Sequence, residues 1–184
     1  RPAGSRHRPA HLAVASSLQE PFERLVDTGL RMNALRSRDE LQDFLIDEAT
    51  EISGAERVLL ILETSAGPRL AGSLVPKGED ASRVMQAAAL TLADVARTRI
   101  ASLAHAPDGA PDLAQRSRIV APLVARNEFL GVLYADIDGA FGRFHDVDRD
   151  LLAMLASQAA VALDNAQWSE GLEQKVAQRT AELR

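Results

Sequence analysis

The chain has 184 residues, 46% of them hydrophobic and 26% charged, with a formal net charge of -5; that is one domain's worth of ordinary globular sequence, and too acidic for a general nucleic-acid binder. It has no cysteine, which excludes disulfides, thiolate nucleophiles, cysteine-ligated zinc or iron–sulfur centres and thioether-linked chromophores. No apolar run approaches the roughly 18–20 residues of a membrane span, and the N-terminus lacks the apolar core of a signal peptide, so a cytoplasmic setting without membrane contact is expected.

In chain order, the opening RPAGSRHRPAH is basic, rich in proline and glycine, and has no period. Residues 1–17 are therefore expected to form a linker or flexible arm. From about Leu18 the apolar spacing alternates between four and three, through Phe22, Leu25, Gly29 and Met32, which is a helical stripe able to pair with another helix. Pro21 suits the first turn of that helix, or else kinks it if the helix begins earlier. A second helix is signposted in SRDELQDFLIDEATEISG. Ser37 and Glu40 make a capping box; Leu41, Phe44, Leu45, Ala49 and Ile52 give one apolar face; Gly54 ends it.

The continuous apolar run from Arg57 to Glu63 predicts a strand covered on both faces. TSAGP turns the chain, and RLAGSLV returns as a weaker strand in which Gly72 marks a bulge. An alanine-rich helix over about Glu79 to Arg97 follows, with Val84, Ala88, Leu92 and Val95 on one side, and then the loop AHAPDGAPD. Two apolar strands, Arg118–Val124 and Phe129–Asp136, flank ARNE, where Asn127 can take the left-handed conformation of a tight hairpin turn. Helices and antiparallel strands in this order read as α+β.

The final helix is expected to run from about Asp146 to Arg184, on the order of 55–60 Å at 1.5 Å per residue. Its first half is broadly apolar, through Leu151, Leu152, Leu155, Ala159, Ala162, Leu163 and Ala166. Its second half thins to Leu172, Val176 and Leu183. With Leu155 and Val176 at a positions, Leu151, Ala162, Leu172 and Leu183 join the same a/d seam, interrupted by Gln158, Asn165, Ser169 and Arg179. Such a polar-interrupted seam either specifies pairing or sits between two registers; a solvated helix end is the plainer alternative. Gly171 weakens the helix by about 1 kcal/mol relative to alanine, which suits a soft joint.

The stretch IVAPLVARNEFLGVLYADIDGAFGRFHDVDRDLLAMLASQAAVALDNA resembles the end of a GAF domain, a small-molecule- and chromophore-binding sensor module of signalling proteins. The matching parts are Pro122–Leu123, Leu130 to Tyr134, Phe144 with Asp148, Leu151–Leu152, Leu155, Gln158 to Ala162, and Asn165–Ala166. The resemblance implies a GAF-like antiparallel sheet, of six-stranded type, flanked by helices, with a ligand pocket on the face opposite the helices. It further implies long N- and C-terminal helices in a parallel dimer bundle. Domain bounds follow: a sensor domain over 18–167, and the start of a coiled-coil connector over 168–184. The connector would lead to a covalently linked output domain, a histidine kinase or a nucleotide or diguanylate cyclase, so the full-length protein would be an enzyme while this segment would not. The pairing residues implied are Leu18, Phe22, Leu25, Leu155, Ala162, Asn165, Leu172, Val176 and Leu183.

For the pocket, the same resemblance nominates Arg118, Tyr134, Asp136, Asp138, Phe141, Phe144 and Asp148, with the ligand and any cofactor unknown. Family uses that require cysteine, bilin attachment and methionine-sulfoxide reduction, are excluded. Cyclic-nucleotide binding would use an Asn-Lys pair upstream of Phe144 and Asp148, but Ile137 and Asp138 stand near that place. The plainer reading makes Phe144 a core plug and the first-turn aspartates partners of the helix dipole. Asp136, Asp138 and Asp146 could form an oxygen-ligand metal site or simply serve turns. His105 and His145 could ligate haem or be ordinary loop histidines. Arg118 and Arg143 could meet an anionic ligand or face solvent, and Trp168 could pack between subunits. A ligand-free dimerisation spacer, or the effector domain of a transcriptional regulator, are the alternative functions.

Overall fold

The computed structural model describes residues 10–35, 37–105 and 116–182. The basic arm at residues 1–9, most of the loop after His105 and the seam residue Leu183 lie outside them. Five helices and five strands are described in the order α1 (Ala10–Ala34), α2 (Arg38–Ser53), β1 (Arg57–Thr64), β2 (Gly67–Leu74), α3 (Ala81–Ala87), α4 (Ala89–Thr98), β3 (Ser102–His105), β4 (Arg116–Ala125), β5 (Glu128–Asp138) and α5 (Asp146–Glu182).

Among the described residues the sheet has five strands, not six, all antiparallel, in the order β2-β1-β5-β4-β3. Alternation along a strand sends successive side chains to opposite faces. Val58, Leu60, Leu62, Ile119, Ala121, Leu123, Leu133 and Ala135 accordingly join one core with α1, α2 and α5. Leu59, Ile61, Val120, Val132 and Tyr134 join a second, smaller core under α3 and α4. This two-sided burial is why β1 reads as an unbroken apolar run.

Local signals behave as their chemistry dictates at α2. The Ser37 side chain accepts from the Glu40 N–H, and Gly54 closes the helix at φ 65° with its N–H bonded to Thr50 O. The β4–β5 turn places Arg126 at φ 49° and Asn127 at φ 67°, the doubly left-handed geometry whose twist suits a two-residue hairpin. The β1–β2 register slips between Leu60 and Ile61, leaving Ala71 as the extra residue beside Gly72.

Three expectations need correction. Helix α1 begins at Ala10 rather than Leu18, with Pro21 inside it. Leu12, Ala13, Ala15, Leu18, Gln19 and Glu20 are strong enough helix formers to extend the helix past a proline that forfeits one backbone bond. The single helix expected over 79–97 is two, parted at Ala88 (φ -90°, ψ 0°). The break lets Val84, Ala88 and Val95 all bury against the sheet. Finally, the start of the expected loop is strand: Ser102–His105 is a short edge strand on β4.

Strands β1 and β5 approach unusually closely at Gly131 (φ 153°), where an added Cβ would stand 2.1 Å from the Ile61 carbonyl oxygen. No rotamer relieves a clash with backbone. Gly131→Ala is expected to lower unfolding free energy by about 2–4 kcal/mol. Gly72→Ala, whose Cβ would meet only the flexible Ile46 side chain at 3.4 Å, should cost under about 1 kcal/mol; urea denaturation of both variants makes the comparison.

Candidate functional site

Two features occupy the sheet face under α3 and α4, one polar and one apolar. The polar one centres on Asp136, whose side chain has no exposed surface. β1 and β4 flank β5, and the register sets Arg57 and Arg118 opposite Asp136. Arg57 Nε donates to both carboxylate oxygens at 2.8 and 3.1 Å, and its Nη2 also reaches Oδ2. Arg116 Nη1 donates to Oδ1 at 2.9 Å, and the Tyr134 hydroxyl donates to Oδ2. The guanidiniums are themselves held from outside: Arg57 by Glu79 at 3.0 Å and Arg116 by Glu56 at 2.8 Å.

Burial pulls the Arg57 and Arg116 guanidiniums towards deprotonation, but hydrogen bonds and charge from Asp136, Glu79 and Glu56 outweigh it, and both end above the ordinary arginine value. Burial first, then the Asp136 charge, lifts the Tyr134 phenol well above its usual range. The cluster is thus a staple across β1, β5 and β4 that also reaches the start of α3 through Glu79. Asp136 and Tyr134, expected to meet a ligand, bond each other, and Asp136 also bonds Arg57 and Arg116.

The apolar feature is a cleft of about 470 Å³ between α3/α4 and the other end of β1 and β5. Ile61, Val132 and Phe129 form its floor, Met85 and Leu92 its roof, and Glu63 lies at its rim. Its hollowness has a source in the sequence: Ala89, Ala93 and Ala96 line it from α4, and three small side chains leave space that larger ones would fill.

None of the nominated ligand residues lines this cleft. Arg118 is half-buried on the same face, its charge felt by Tyr134. Asp138 sits 3.9 Å from Arg116 and accepts the Ala140 N–H. Phe141 is 78% exposed. Phe144 plugs the helix-side core, and the Asp148 carboxylate accepts the His145 N–H at 2.7 Å, which is the plainer of the two readings of that pair. Asp146 pairs with Arg149, and no metal-holding group of three or more His, Cys, Asp or Glu residues occurs among the described residues. His105 is likewise engaged, through Nδ1 with Ser117.

Residues 37–165 match the family profile described as GAF domain. The chain belongs to the GAF domain family. Members of this family are sensory modules of signalling proteins. Among solved structures, the GAF domain of a protein described as a sensor histidine kinase from Pseudomonas syringae pv. tomato superposes with TM-score 0.64 at 17% identity, covering 90% of this chain and 99% of that one. Residues 122 to 287 of a methyl-accepting chemotaxis protein give 0.61 at 18%, covering 77% and 97%. The GAF domain of the cyanobacteriochrome TePixJ gives 0.59 at 16%, covering 74% and 95%. At these identities the likeness is one of fold. A comparison with curated proteins finds no match.

The helical side of this GAF domain redistributes the expected pairing residues. Leu25, Leu155 and Ala162 are buried in the domain's own core, so they have no surface to offer a second chain. Phe22, Val26 and Leu30, one face of α1 at spacing four, are instead 45, 65 and 69% exposed. On α5, Met154, Val161, Asn165, Leu172 and Val176 are exposed. Helices α1 and α5 meet where Gly29 lies against Gln158; a Cβ there would be 3.2 Å from the amide. No helix among the described residues is long and apolar enough to cross a membrane.

The staple gives a stability prediction. Asp136→Asn leaves two buried guanidiniums short of a charge and should cost about 3 kcal/mol or more. Asp138→Asn, at a part-exposed carboxylate whose nearest guanidinium contact is 3.9 Å, should cost under about 1 kcal/mol. Thermal and chemical denaturation of the two variants reads the difference.

Proposed function

We propose that this GAF domain is the regulatory sensor module of a signal-transduction protein. A small molecule enters the cleft, α4 shifts with occupancy, and the β4–β5 turn hands the shift to α5. Paired with its counterpart in a second copy, α5 delivers it to a downstream histidine kinase or nucleotide cyclase.

The observation that carries this reading is the double tether of one turn. Arg99, the left-handed residue that ends α4, donates through Nη1 to Asn127 O at 2.8 Å and to Asn127 Oδ1 at 3.3 Å. The adjacent Arg126 Nε lies 2.9 Å from Asp164 Oδ2 on α5. The roof of the cleft and the long helix are therefore joined through two consecutive residues. A ligand that distinguishes two positions of α4 by a few kcal/mol would shift their populations substantially. The solved neighbour from a sensor histidine kinase supports the assignment of output.

Pairing is supported by the apolar stripe Phe22, Val26 and Leu30, together with Met154 and Val161 on α5; each helix carries these residues within about two turns of the Gly29–Gln158 contact. A row of large apolar residues open to water is an interaction surface more often than an accident.

The relay is tested by hydrogen exchange. Filling the cleft with Ala93→Phe should change amide exchange along α5 beyond Asp164, and adding Arg126→Ala should remove most of that response; an α5 that is indifferent to the filled cleft ends the relay reading. Pairing is tested by light scattering across the micromolar range. The parent chain should be dimeric and the Val26→Glu, Val161→Glu double variant monomeric with unchanged circular dichroism. A monomeric parent leaves no role for the stripe.

A further inference from the structure

The cleft's chemistry is narrower than its apolar floor suggests. Among the residues lining it, Glu63 is the one ionisable group; the other polar side chains are those of Ser82 and Gln86, both on the α3 side. Glu63 shares its strand face with Ile61, two residues before it, and both line the cleft. Among the described residues its carboxylate makes no hydrogen bond or ion pair; Arg57, Arg116, Arg99 and Arg126 are engaged elsewhere, and Arg38 and Lys175 line, with Glu63 and Phe129, a separate hollow on the α5 side. Phe129, which lines the same cleft, supplies an aromatic ring beside that carboxylate.

We infer that the cleft binds a compact apolar molecule bearing a cationic amine or quaternary ammonium group, with the hydrocarbon under α3/α4 and the charge at the rim between Glu63 and Phe129. This rests on the sensor reading of the cleft and names the ligand class. Three physical points favour it. An anion would have to enter a low-dielectric cleft whose lining offers no guanidinium or ammonium and one carboxylate, an arrangement that repels it. A neutral apolar molecule would fill the volume, which falls within the usual 300–1,000 Å³ of ligand sites, but would leave the rim carboxylate without a role in selection. A cation satisfies both the carboxylate and the negative face of the Phe129 ring. The same points disfavour phosphate-bearing ligands, cyclic nucleotides among them.

Three isosteric probes decide it: cyclohexylmethylamine, cyclohexylmethanol and cyclohexanecarboxylate, titrated into the whole chain by isothermal calorimetry and ligand-observed NMR. The amine should bind about tenfold more tightly than the alcohol, and the carboxylate more weakly than either. Glu63→Gln should erase the amine's advantage while leaving alcohol affinity unchanged, and Phe129→Leu should erase part of it. Equal affinities, a preference for the carboxylate, or an amine preference that survives Glu63→Gln would overturn the inference while leaving a small-molecule cleft in place. Failure of all three probes to bind, or binding undiminished by the cleft-filling Ala93→Phe, would overturn the cleft itself and the sensor reading with it.

Discussion

Strands β1, β4 and β5 bury apolar side chains on both of their faces, and that constraint organises the molecule. A sheet with one wet face would need a single helical layer. Here Val58, Leu60 and Leu62 need cover on one side, Leu59 and Ile61 on the other, and water exclusion from both makes three layers obligatory. The helix-side cover is dense, with α2 and α5 lying directly on the sheet. The cover on the other side is a pair of short helices whose inner positions include three alanines. Thin cover over an apolar face leaves a hollow, so the feature that recommends this domain as a receptor follows from how incompletely its second face is filled.

The staple around Asp136 supplies the opposite condition at the other end of the same face. Val132 and Asp136 are four residues apart on β5, roughly 13 Å at strand rise, so one end of the face is cross-linked by charge and the other left open. Each end of the α3/α4 cover is held by one arginine: Arg57 bonds Glu79 at the entrance to α3, and Arg99 at the end of α4 bonds Asn127 in the β4–β5 turn.

Much of this architecture could be read in advance, and the division follows from the range of each interaction. Ser37, Gly54 and Asn127 act on backbone within a few residues, so the α2 caps and the hairpin turn were legible, as was the two-sided character of β1. The family resemblance was carried by the β4–β5–α5 segment, where local pattern and fold coincide. The staple was not legible, because Arg57 and Asp136 are 79 residues apart and only strand register brings them together. Nor was the break at Ala88, where no glycine or proline stands and tertiary packing alone decides. The burial of Leu25, Leu155 and Ala162 within the domain was hidden for a different reason. Phe22 and Leu25 are both apolar and three residues apart, so periodicity marks two adjacent stripes without saying which one the domain's own core takes. The cleft left only a faint trace, the alanines of α4, which read equally well as helix propensity.

Arginine and tyrosine as the donors of the staple have a consequence for the conditions the domain tolerates. Each of Arg57, Arg116 and Tyr134 keeps its proton more firmly in the folded chain than outside it. Protons held this way favour folding fully below the groups' ordinary values, and the benefit fades only as alkalinity climbs through the higher folded ones. Rising alkalinity across the physiological range therefore leaves this corner of the sheet intact. Base is therefore no trigger for this domain through these three groups, and any response it makes has to start elsewhere.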